Sequence, residues 1–119
     1  MQIIKKNSTE IAVLREESAV LYDEQSALDL IGELLFNKRI ACLVIPMEAL
    51  SDPFFDLSTG LAGNILQKFI NYGVRLAIVG DFSAYHSKSL HQFIFESNNS
   101  TQVLFAASVE EAVKRFAFP

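Results

Sequence analysis

The sequence predicts an α/β fold: a mostly parallel central sheet, an antiparallel N-terminal hairpin at its edge, and helices packed on it. Three observations carry this. An unbroken apolar run, residues 40–45, has the composition of a central strand covered on both faces, and residues 74–79 read as a second buried strand. Segments with apolar residues at helical spacing stand between and around them. The chain opens with two short segments rich in β-formers, separated by turn residues. The element order is β-β-α-β-α-β-α-β-α, and strands alternating with helices imply right-handed crossovers and a parallel sheet.

The hairpin pairs residues 2–6 with 10–15 across Asn7-Ser8-Thr9, a polar turn. Residues 19–22 either continue the second strand after Glu16-Glu17-Ser18 or form a connector. Asp23 is placed to cap a helix running to about Asn37, with Leu28, Ile31 and Leu35 at helical spacing and Ala27, Leu30 and Leu34 widening the stripe. Gly32 within it costs helix propensity and predicts close packing at that point. The strand at 40–45 ends at Pro46, which has no N–H for a ladder.

The second helix carries Leu61, Ile65, Phe69 and Ala62, Leu66, Ile70. Its start is open between Pro53, with Asp52 as cap, and Ser58 as cap. Gly73 stands where a Schellman cap requires a left-handed residue. After the strand at 74–79 comes Gly80-Asp81-Phe82-Ser83. Ser87 then caps a helix presenting Leu90, Phe93 and Ile94 and stopping near Asn98-Asn99. A last strand, 102–106, precedes Ser108-Val109-Glu110-Glu111, a capping box that opens a final helix with Ala112, Val113 and Phe116 inward.

The composition narrows the function. The 119 residues suit a single domain over 1–119. Half are hydrophobic and a fifth charged, with mean hydropathy +0.26, which excludes a disordered chain. A net charge of −4 offers no basic face for neutralising phosphates, so nucleic acid is not an expected partner. One cysteine, Cys42, lies in an apolar run and reads as an inert core thiol of a reducing compartment. The N-terminus lacks the order of a secretory signal, and the longest apolar run, 40–47, is too short to span a bilayer. A cytoplasmic protein with no membrane contact is expected. His86 and His91 do not have the i, i+4 spacing of a helical metal pair, and no metal or cofactor is expected. A Ser58–His86 dyad lacks a Gly-x-Ser-x-Gly elbow and an orienting acid.

Two resemblances enter on the central stretch. Phe54-Phe55-Asp56-Leu57-Ser58-Thr59-Gly60-Leu61-Ala62-Gly63, with Leu76-Ala77-Ile78-Val79-Gly80-Asp81-Phe82-Ser83, resembles the core of an uncharacterised bacterial family catalogued as a domain of unknown function. That resemblance covers nearly the whole chain and implies no activity. The element order, with Ser58-Thr59-Gly60-Leu61 after a strand and Ser108-Val109-Glu110-Glu111-Ala112-Val113 opening the last helix, is similar to STAS domains, the sulfate-transporter and anti-sigma-factor-antagonist fold. In stand-alone members of that family an Asp-Ser-Ser-Gly-Leu turn opens a helix, and a kinase phosphorylates a serine there to switch binding to an anti-sigma factor. Here the aspartate is Asp56, one position earlier, with Leu57 in its place, and the segment 46–55 is longer.

The resemblance therefore implies a non-enzymatic protein-interaction module with Ser58 or Thr59 as phosphoacceptor, and a kinase or anti-sigma-like regulator as partner. The residues alone suggest a rim at the carboxyl ends of the parallel strands. There Asp56, Ser58, Thr59, Asp81 and Ser83 converge and Gly60 and Gly63 allow close approach. Phe54, Phe55, Phe82 and Tyr85 serve the core or anchor a partner. The structural alternative treats Ser58 and Asp81 as caps and the two glycines as packing devices. A small-ligand binder or minor enzyme on the same rim, and a homodimer joined by the loop phenylalanines, complete the alternatives.

Overall fold

The computed structural model describes residues 1–15 and 18–118. Among them, five strands form one mixed sheet in the order β1-β2-β3-β4-β5, with four α-helices packed on it. The hairpin joins β1 (Gln2–Lys6) to β2 (Thr9–Val13) antiparallel. Asn7 and Ser8 hold φ of 50° and 65°, the left-handed pair of a two-residue turn that matches strand twist. β3 (Cys42–Pro46), β4 (Arg75–Val79) and β5 (Val103–Ala106) then add in parallel.

The strand order decides which face each helix covers. Right-handed crossovers that always step the same way put their helices on one face. Accordingly α1 (Glu24–Gly32), α2 (Leu61–Asn71) and α3 (Lys88–Asn98) cover Ala12, Leu43, Ile45, Leu76, Ile78 and Phe105. Only α4 (Val109–Ala117), among the described residues, covers the other face. Its Ala112, Val113 and Phe116 close over Val13, Cys42, Val44, Ala77, Leu104 and Ala106. The apolar runs at β3 and β4 thus arise as expected, from burial on both sides.

Several boundaries differ from the sequence reading. The first helix does not stay α-helical to Asn37: after Gly32 it widens into a π-type turn over Glu33–Lys38 and closes on left-handed Arg39. Gly32 makes no close packing, since a Cβ there would meet nothing within 4 Å. Residues 19–22 do not extend β2. Val20 and Leu21 donate to Ala49 O, and Leu21 bridges Leu50; Glu16 and Glu17, through which the continuation was read, lie outside the described residues.

Neither expected start of the second helix holds. Residues 52–59 form two separate 3₁₀ turns, Asp52–Phe55 and Leu57–Thr59, and α2 begins at Leu61. Ile70, assigned to its apolar face, is exposed. The C-terminal cap is as expected: Gly73 has φ 70°, its N–H donates to Ile70 O, and Val74 N–H donates to Phe69 O. The final capping box holds in half. Ser108 Oγ accepts from Glu111 N–H at 3.1 Å, but the Glu111 carboxylate accepts from Ala107 N–H at 2.9 Å, one residue before the cap.

The outer edge of β5 is occupied by side chains. Asn98 Oδ1 accepts from Phe105 N–H at 2.8 Å, so that edge amide is not left for another strand. Among the described residues no helix is long and apolar enough to cross a membrane.

Candidate functional site

The loops that follow β3 and β4 meet at the carboxyl ends of the parallel strands, and aromatic contacts lock them together. Phe55 stacks on Tyr85 with centroids 5.0 Å apart and touches Phe82 at 6.3 Å. Phe82 in turn meets Phe105 edge-on at 5.3 Å. Phe54 and Phe55 are 1 % and 6 % exposed. That settles these two in favour of the core: they anchor the loop rather than offering a docking surface. Phe82 and Tyr85 are half-buried and pack on the same core.

The polar residues form two matched pairs, one in each loop. In Asp56-Leu57-Ser58, one Asp56 carboxylate oxygen accepts from Ser58 N–H at 3.0 Å and from the Ser58 hydroxyl at 2.6 Å. In Asp81-Phe82-Ser83 the same bonds recur, at 3.0 Å and 2.6 Å. A short acid followed two residues later by serine caps its own turn in this way. The middle residue, Leu57 or Phe82, points into the core. Each carboxyl is held below the ordinary aspartate range, first by the serine hydroxyl and then by the serine amide. All four polar side chains are exposed. No hydrogen bond joins one pair to the other among the described residues; the two loops meet through their aromatic residues.

Thr59 behaves differently from Ser58. Its hydroxyl lies 2.8 Å from both Pro53 O and Asp56 O, to which it donates, and it accepts from Leu61 N–H at 3.2 Å. It therefore ties the two 3₁₀ turns to the first residue of α2. Ser58 is neither the cap of α2 nor at its tip, contrary to the sequence reading. Gly60 is the cap, with φ 75°, a conformation glycine adopts without strain. No close approach occurs at Gly60 or Gly63; a Cβ at either would meet nothing within 4 Å. Close approach occurs instead at Gly80, where a Cβ would fall 2.2 Å from the Met47 sulfur.

Two acids the sequence reading did not select complete the rim. Burial pushes the Tyr85 phenol up, and the charges of Asp52 and Glu48 push it further. Both acids are exposed, and their charges reach the Tyr85 ring of the Phe55–Tyr85 stack. His91, also missed, hydrogen-bonds Tyr85 O at 2.5 Å from the first turns of α3. The only sequence signal for Glu48 and Asp52 was the acid content of the segment between β3 and α2. His86 is exposed and has no described bond to Ser58.

On the α4 side of the same strand ends lies a half-open cleft of about 500 Å³, lined by Leu14, Arg15, Pro46, Glu48, Val79 and Val109. It contains none of Asp56, Ser58, Asp81 or Ser83. Among the described residues no group of three or more His, Cys, Asp or Glu side chains is arranged to hold a metal ion. Cys42 is buried in β3, and burial raises its thiol pKa, leaving little thiolate.

A family model described as a domain of unknown function (DUF4180) matches residues 6–116. No curated protein and no solved structure matches the chain.

Proposed function

The chain belongs to the DUF4180 family, and from that premise, which assigns no activity, we propose a non-enzymatic protein-interaction module of STAS-like type. Its contact surface is the rim after β3 and β4, and phosphorylation of Ser58 switches it. The element order that suggested the STAS resemblance matches the order of the sheet and its helices. The carrying observation is the difference between two adjacent hydroxyls. Ser58 Oγ is exposed and its one described partner is the Asp56 side chain. Thr59 Oγ1 is engaged by three backbone groups. Ser58 is therefore the phosphoacceptor and Thr59 the structural residue.

A phosphate on Ser58 removes the proton that Asp56 accepts and adds about −1.5 to −2 charges beside that carboxylate. Repulsion then pulls the Asp56–Ser58 turn apart. Phe54 and Phe55, buried beneath it, keep the change local. With Asp56 in the same turn and Glu48 and Asp52 acting on Tyr85 of the loop packed against it, the unmodified rim suits a basic partner surface, and the modified loop presents a different shape. The expected partners are a kinase and a regulator of the anti-sigma type.

The test compares partner binding by the wild type, Ser58→Ala and Ser58→Asp proteins. A difference of about tenfold or more between the two variants, a change of roughly 1.4 kcal/mol, supports the switch. Equal binding overturns it. The cleft beneath Glu48 and Val109 favours a second reading, a small-ligand site on the same strand ends but on the α4 side. Thermal stabilisation by a metabolite, abolished by Val79→Asp and untouched by Ser58→Asp, separates that reading from the first.

A further inference from the structure

We propose that a tetrahedral oxyanion, a phosphate or sulfate group, binds between Arg75 and Arg115 at the amino ends of β4 and β5. This is the edge of the sheet opposite the rim, and the inference is independent of the switch proposed at Ser58. A hollow of about 260 Å³ opens there, lined by both arginines together with Asn99, Ser100, Thr101 and Phe118.

The two guanidinium groups are held in place by neutral partners. Arg75 Nε donates to Thr101 O at 2.8 Å, and its guanidinium carbon lies 4.7 Å from the centroid of the Phe116 ring. Arg115 Nη1 donates to Asn98 Oδ1 at 3.3 Å and Nη2 to Asn98 O at 3.2 Å. Each guanidinium carries five N–H donors, so these bonds use one donor of Arg75 and two of Arg115. Among the described residues neither arginine is in an ion pair. Both side chains are half-buried, which strengthens their field relative to a surface lysine.

The C-terminus of α4 lies beside the hollow and opposes an anion with about half a negative charge. Two full positive charges outweigh it. Planar guanidinium forks fixed before binding are suited to the paired oxygens of phosphate or sulfate. Ser100 and Thr101 line the wall, and the hollow has room beyond a single oxyanion for the first atoms of an ester that carries it.

The test follows the Arg75 and Arg115 Nε–Hε signals of the intact ¹⁵N-labelled protein by NMR. The titrants are sodium phosphate, sodium sulfate, glycerol phosphate and, at matched ionic strength, sodium chloride. Saturable shifts of both signals with any of the three oxyanions, and none with chloride, are expected. A stronger response to glycerol phosphate assigns the site to an esterified ligand, and a stronger response to phosphate or sulfate to a free ion. Arg115→Gln should weaken binding by about tenfold or more, the loss of a hydrogen bond to a charged group. Arg75→Lys, which keeps the charge but not the fork, gives a second variant should Arg115→Gln lower stability. Identical responses to chloride and to the oxyanions, or oxyanion binding that neither substitution weakens, overturn the proposal.

Discussion

At the scale of single residues, the Asp56–Ser58 and Asp81–Ser83 pairs make an internal control for each other. Both carboxyls are held below the ordinary aspartate range by their own serines. Ser58→Ala removes the first cause at Asp56 and leaves Asp81 untouched. Carboxyl carbon NMR titration should therefore show Asp56 returning toward the ordinary value while Asp81 stays low. A folded-state pKa that is depressed contributes stability above the ordinary aspartate value and loses it as pH falls through the depressed one. Any acid destabilisation from these pairs thus falls on the acid side of the usual aspartate range, and in Ser58→Ala the Asp56 part shrinks to what the residue-58 amide still supplies. Phe54 is the other residue with a clear expectation. It is a fully buried ring in a loop, and Phe54→Ala should cost about 3–5 kcal/mol in urea unfolding. A cost below about 1 kcal/mol would mean that the loop is not anchored in the core as described.

At the scale of elements, the glycines separate into types that composition alone does not distinguish. Gly73 has φ 70° at the end of α2, while Gly63 sits inside α2 with nothing within 4 Å of a Cβ. Gly73→Ala should destabilise by about 1–2 kcal/mol, whereas Gly63→Ala should stabilise by about 0.5–1 kcal/mol. Thermal unfolding of the two variants should shift in opposite directions. The Gly73 cap was legible because Asn71-Tyr72-Gly73 precedes a strand, and local chemistry decides such an ending. The hairpin turn and the Ser108 cap were legible for the same reason. The stretch 52–60 was not. It offers two sound helix starts, Asp52-Pro53 and Ser58, and the chain uses neither, because burying Phe54 and Phe55 against α2 and Tyr85 breaks the segment into 3₁₀ turns. A tertiary contact over 30 residues outweighed local capping, and no local pattern announces it. The Glu33–Lys38 π-type turn was hidden likewise, since Leu34 and Leu35 keep the helical spacing through it.

At the scale of the whole molecule, the strand order β1-β2-β3-β4-β5 explains the unequal layers: three helices on one face and, among the described residues, α4 alone on the other. β3 and β4 are covered on both sides, whereas β1 is largely exposed. Hydrogen exchange should follow this gradient, with the amides of Val44 and Ala77 opening only by global unfolding and those of β1 exchanging by local fraying. Equal protection in β1 and β4 would contradict it. The fold class was legible because the apolar run at β3 is long and lacks alternation and a second apolar segment stands at β4. The site was legible only as a neighbourhood. Sequence identified the loops that carry Asp56, Ser58, Asp81 and Ser83, but not the anchoring role of Phe54 and Phe55, nor the part that Glu48, Asp52 and His91 play around Tyr85. Those depend on contacts between segments brought together by the sheet.

The proposed switch is tested most directly by peptide mapping of the protein purified from its own cells, with each hydroxyl of the 56–60 loop read separately by mass spectrometry. A phosphate carried by Ser58, with Thr59 unmodified, is the predicted result. Ser58 found bare under every growth condition, or phosphate found on Thr59 instead, would contradict it.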